Sequence, residues 1–160
     1  MVTAWETAAA VPDPELPMLT IADLGILRDV AEDGGTVTVV ITPTYSGCPA
    51  MLEISADVRH RLERAGFAVT VRTQLAPAWS SDWITGEGRR KLAAAGIAPP
   101  APAARRSGPV PLTLGRPASS SCPRCGSPQT RRTAEFGATA CKSLHRCDHC
   151  GEPFEAVKPL

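Results

Sequence analysis

The chain is poor in aromatic residues: three Trp, three Phe and one Tyr make up 4% of its 160 positions. Any core it builds is therefore aliphatic, drawn from Ala, Val, Leu and Ile. Long apolar runs are missing, and the N-terminus has no basic segment leading into an apolar one. Neither a membrane span nor a secretory leader is expected, and the chain reads as a soluble cytoplasmic protein. Catalytic motifs are absent as well. There is no Glu-x-x-His pair on a helix for a di-iron site, no Gly-rich phosphate loop and no Ser/His/Asp set, which argues against independent catalysis.

A strong basic surplus is lacking too. The net charge is +1, with −4 over residues 1–99, +3 over 100–116 and +2 over 117–160. Four thiolates around a divalent ion would bring the tail to near neutrality, a poor footprint for nucleic acid.

Cysteine is unevenly spread: of six, only Cys48 lies outside the last quarter of the chain. In a reducing compartment that clustering favours a metal over disulfides. Cys122-Pro-Arg-Cys125-Gly and Cys147-Asp-His-Cys150-Gly are two C-x-x-C knuckles, each followed by a glycine that permits a tight turn. Two such knuckles make a closed tetrahedral site, read here as structural zinc in preference to rubredoxin-type iron or a cluster. The stretches Thr130–Phe136 and Ser143–Arg146 between them read as two strands of a ribbon. A piece this small has too little core to fold alone, so the metal is expected to supply its folding energy. Cys141 is a fifth thiol in the tail, either a filler or a replacement ligand. His60 is expected in solvent and His149 pointing outward; His145 could approach the metal but is not expected to ligate it.

The N-terminal part reads as a small α+β domain, a short mixed sheet covered by helices. Three prolines in Val11–Pro17 exclude helix there. Thr20 can cap a turn closed by Gly25. A strand from Ile26, alternating Ile26, Arg28 and Val30 against Leu27, Asp29 and Ala31, leads into the hairpin turn Asp33-Gly34-Gly35. Thr36–Thr42 is almost all β-branched and predicts the second strand. Met51, Ile54, Val58, Leu62 and Ala65 recur at helical spacing, predicting a helix over 49–65 ended by Gly66. Phe67–Thr73 is a third strand, parallel to an earlier one because a helix separates them. The Trp79–Thr85 segment, with two of the three tryptophans, is expected to pack back on the sheet, and a short helix follows near Gly86–Ala95. Domain bounds of 1–98 and 118–160 follow, with 99–117 a linker rich in Pro and Ala.

Cys48 sits where the second strand hands over to the helix. At or beside an N-cap, unpaired amides and the helix dipole favour thiolate over thiol. Such a sulfur can bind a soft metal or attack an electrophile. The alternative is a small buried apolar residue.

Asp13-Pro14-Glu15-Leu16-Pro17, Asp23-Leu24-Gly25, Thr42–Pro49 and Trp79–Ile84 together resemble the metal-sulfur cluster assembly family that includes SufT-like factors. The added Glu135–Lys142 stretch and Cys147–Phe154 narrow the resemblance to its phenylacetate-degradation branch, which carries a cysteine-rich C-terminal extension. The resemblance covers nearly the whole chain. It implies that Cys48 occupies the place of the family's reactive cysteine, with Asp13, Thr44 and Ser46 lining the same pocket. It implies a role beside the oxygenase and reductase subunits of a multicomponent phenylacetyl-CoA 1,2-epoxidase, maturing its iron or iron-sulfur centre. The competing reading is a structural adaptor that binds oxygenase subunits without touching iron.

Overall fold

The computed structural model describes residues 2–103 and 120–160, in two compact units, Met1–Lys91 and Leu92–Leu160. Most of the linker expected over 99–117 lies outside the described residues.

The first unit opens with α1 (Ala4–Ala9), fixed at its N-terminus by a reciprocal capping box between Thr3 and Glu6. The proline-containing stretch that follows is not helical. Asp13 accepts the Glu15 and Leu16 amides on Oδ1 at 3.0 and 2.8 Å, and its own amide donates to Leu19. Val11, Leu19 and Ile21 from this irregular stretch are fully buried. β1 (Leu27–Asp33) and β2 (Thr36–Ile41) pair antiparallel through a two-residue turn in which Gly34 and Gly35 both have positive φ, as a type I′ hairpin requires. A bulge between Leu27 and Asp29 shifts the expected alternation in β1 and turns Arg28 outward, where its guanidinium lies 3.7 Å from the centre of the Trp83 ring.

β2 is the middle strand, paired in parallel with β3 (Ala68–Thr73) after the helical crossover α2 (Ala50–Arg64). The buried stripe of α2 is Ala50, Ile54, Val58 and Leu62. This strict four-residue step replaces the expected Met51 with Ala50 and leaves Ala65 exposed. Val37, Val39 and Ile41 of β2 are also buried.

The Trp79–Ile84 stretch ends in a short 3-10 turn, Ser81–Trp83. Trp79 is buried and its indole N–H donates to the Leu24 carbonyl at 2.8 Å. Asp23 fixes the residues just past this stretch. It exchanges hydrogen bonds with Thr20, accepts from Lys91 Nζ at 2.7 Å, and its carbonyl takes the Thr85 amide.

α3 (Gly86–Ala94) runs from the first unit into the second. The second unit is a four-stranded sheet in the order β4-β7-β6-β5, made of β4 (Ile97–Ala98), β5 (Thr130–Ala134), β6 (Lys142–Cys147) and β7 (Pro153–Val157). The two strands expected of the ribbon are β5 and β6; β4 and β7 enlarge it. A buried Lys142 pairs with Glu155 across β6 and β7 at 2.7 Å.

Candidate functional site

The tail builds a candidate metal site from two turns. Cys122–Gly126 and Cys147–Gly151 each close by a glycine amide donating to the first cysteine's carbonyl, at 2.8 and 3.0 Å, with Gly126 and Gly151 at positive φ. The Cys150 amide reaches a sulfur, donating to Cys147 Sγ at 3.4 Å. The four sulfurs of Cys122, Cys125, Cys147 and Cys150 all lie within 4.8 Å of one another. Two of the separations are 3.8 Å (Cys122 to Cys150) and 3.6 Å (Cys125 to Cys147). A regular tetrahedron of sulfurs with metal bonds of about 2.3 Å has edges of roughly 3.8 Å, so these two separations suit a zinc-sized ion.

The thiols behave as a crowded set. The Cys150 amide, joined by that of His149, outweighs burial and draws Cys147 down to about 6. The Ser127 amide acts on Cys125 in the same sense, but desolvation and the thiols of Cys150, Cys147 and Cys122 win and push it up to about 12. Sulfurs this close cannot all ionise without a cation to share.

Cys141 is not a member of this group; its Sγ lies 3.1 Å from Thr139 Oγ1. His145 is buried, stacked on Phe154 and hydrogen-bonded to Ser143, and it too stands outside the group. Burial, helped by the charge of Arg132, lowers its pKa. His60 and His149 are exposed.

In the first unit the loop after β2 forms a second candidate site. Thr42, Pro43, Thr44, Tyr45 and Ser46 make one side of a cavity of about 90 Å³, and Leu75, Ala78 and Trp79 make the other. That is room for a few waters or one small polar guest. Cys48 follows this loop, half-exposed, directly before the N-cap Pro49. Its amide donates to the Tyr45 carbonyl in the cavity wall, and its carbonyl accepts the Met51 amide in the first turn of α2, both at 3.3 Å. Of the residues named from sequence, Thr44 and Ser46 line the cavity, Cys48 lies two positions past it, and Asp13 is buried in its own turn. Sequence reading missed Thr42. It is 1% exposed, it lines the cavity, and its hydroxyl has no hydrogen-bond partner among the described residues. A threonine ending a β-branched strand carries no signal that would have singled it out.

Residues 106–158 match the family model described as the PaaD zinc beta ribbon domain, and residues 6–72 match that described as an iron-sulfur cluster assembly protein. A protein of Escherichia coli, provisionally named as one of the subunits of 1,2-phenylacetyl-CoA epoxidase, is 43% identical over 155 residues, spanning 96% of this chain and 90% of that one. This chain belongs to the PaaD family. Its PaaD-type tail holds the four gathered cysteines, and the rest is shared more widely. An Fe-S protein maturation auxiliary factor from Porphyromonas gingivalis is 37% identical over 86 residues, 51% of this chain and 80% of that protein. The crystal structure of a DUF59 domain of unknown function from Bacillus anthracis is 28% identical with a TM-score of 0.52, covering 56% of this chain and 87% of that one. The α+β fold and the cysteine-rich extension of this PaaD-family chain are thus those expected of it.

Proposed function

We propose that this protein is an accessory subunit of the multicomponent phenylacetyl-CoA 1,2-epoxidase, maturing or delivering the system's iron or iron-sulfur centre through Cys48. The observation that carries the reading is a half-exposed thiol beside a cavity lined by Thr42, Thr44 and Ser46, with the Thr42 hydroxyl buried and without a partner among the described residues. Leaving such a group unpaired costs about 1–3 kcal/mol, a cost tolerated where the group serves a guest. Thr44 and Ser46 present further hydroxyls on the same wall, and Asp13 holds the preceding loop in shape.

The relatives support the same assignment, one named for an epoxidase subunit and another for Fe-S protein maturation. Cys122, Cys125, Cys147 and Cys150 hold a structural zinc that folds residues 118–160, and this part docks the oxygenase or reductase client. Residues 1–98 carry the transfer chemistry. Four thiols gathered for a metal, and no described helix long and apolar enough to cross a membrane, suit a soluble protein of the reducing cytoplasm.

Replacement of Cys48 by Ser in cells expressing the other epoxidase subunits is the test. Iron content of the client and epoxidation should both fall, while the variant still co-purifies with its partners. Undiminished iron and activity would refute delivery and leave a structural adaptor.

A further inference from the structure

The sheet of the first unit has two faces of different character. Val37 and Val39 point into the core, so the alternate residues of β2 point the other way. The pairing register places β1 and β3 residues beside them on that outer face. One row reads Asp29, Val40, Arg72, and the next reads Ala31, Thr38, Thr70. Ala31 and Thr70 are exposed and Thr38 and Val40 half-exposed, so the face meets solvent. Its middle is flat and small-sided, while its charges lie at the margins, where Arg28, next to Asp29, is held over the Trp83 ring and leaves the Asp29 carboxylate unpaired. Among the described residues, neither the Asp29 carboxylate nor the Arg72 guanidinium has a hydrogen-bond or ion-pair partner.

This arrangement is self-complementary. A two-fold axis parallel to β2 and lying above the face would exchange the two margins and keep each row level. The second copy's Arg72 then stands over Asp29, its Asp29 over Arg72, and Val40 meets Val40 near the axis. No other partner is specified so fully by the charges on the page: an acidic partner would leave Asp29 opposed, and a basic one Arg72.

We propose that this outer face is an isologous dimer interface between two copies of the chain, registered by two reciprocal Asp29–Arg72 ion pairs. Three strands by two or three residues offer roughly a few hundred Å² per copy, well under the ~800 Å² of a standard interface. The dimer is therefore weak and reversible, and the ion pairs set its register more than its strength.

Sedimentation equilibrium of the full-length, metal-loaded protein tests this. At low salt the dimer fraction should rise with concentration, and added salt should suppress it. Asp29→Arg and Arg72→Asp should each reduce association at least several-fold, and the double charge swap should restore it. Circular dichroism checks that the exposed substitutions leave the fold intact. If either charge variant misfolds, Thr38→Lys places like charges near the axis and should also dissociate the dimer. A wild type monomeric at all concentrations, a dimer indifferent to the single changes, or a double swap without rescue would each overturn the proposal.

Discussion

The sulfurs of Cys122 and Cys150, 28 residues apart in the chain, lie 3.8 Å from each other. That contact joins the two knuckles and makes the C-terminal unit's core dependent on what the thiols hold. The buried cluster there is Ala98, Cys122, Cys147, Phe154 and Ala156, so two of its five members are cysteines of the metal site. Structural zinc in finger peptides contributes about 10–16 kcal/mol of apparent binding energy, more than a core this small can replace. The purified protein should carry one zinc, and a strong chelator should unfold residues 120–160 while leaving the first unit folded. Amide spectra of the full chain before and after chelation decide it. Native C-terminal signals in metal-free protein would contradict the prediction.

Asp23 offers a pH test in the other unit. Burial alone would raise its pKa, but the hydrogen bond from Lys91 and the Thr20 amide outweigh it and hold the carboxyl below its ordinary value of 3.8. The folded state thus binds this proton less readily than the unfolded one. The stabilisation is complete above the unfolded value and is lost as pH falls through the folded one. Asp23→Asn should cost about 1–3 kcal/mol near neutral pH. Urea unfolding of both proteins should show that gap closing in acid; a gap that stays constant down to strongly acidic pH would exclude this origin.

What the letters revealed, and what they hid, follows from how local each determinant is. The Gly34-Gly35 turn, the Ile54, Val58 and Leu62 part of the α2 stripe and the paired knuckles are written in neighbouring residues, and the structure reproduces each. β4 has only two residues, Ile97 and Ala98, and is a strand because β7 lies beside it, more than fifty positions away. β7 opens on a proline, which weakens any strand pattern. Lys142 is buried although alternation puts it on the face of the exposed Leu144 and Arg146, where sequence alone places a solvated lysine, and its pairing with Glu155 makes that burial tolerable. The Cys48 loop was legible as a junction, but the cavity beside it depends on Leu75, Ala78 and Trp79 folding over from a later stretch.

Gly25 is fixed by two demands at once. Its φ is +68°, and a Cβ built there would lie 2.6 Å from Trp83 Cβ and 2.8 Å from the Trp83 carbonyl oxygen. Gly66, at φ +94°, has nothing within 4 Å of such a Cβ. Gly66→Ala should therefore cost only the left-handed penalty, about 1–2 kcal/mol. Gly25→Ala adds overpacking against backbone, for a total of about 2–4 kcal/mol. Urea unfolding followed by tryptophan fluorescence measures both; equal losses would mean that the Trp83 contact relaxes freely.

Thr42→Val separates a role in folding from a role at the cavity. The hydroxyl is buried without a partner, so replacing it with a methyl group removes an unsatisfied polar atom at little change in shape. In the free protein the variant should be at least as stable as wild type, by up to about 1–3 kcal/mol. If the hydroxyl serves a guest beside Cys48, the same change should reduce iron incorporation into the client. Thermal unfolding and client iron content, measured on the same preparations, report the two effects separately. A variant that is less stable and fully functional would show that Thr42 is structural, with its partner supplied by buried water instead of a guest.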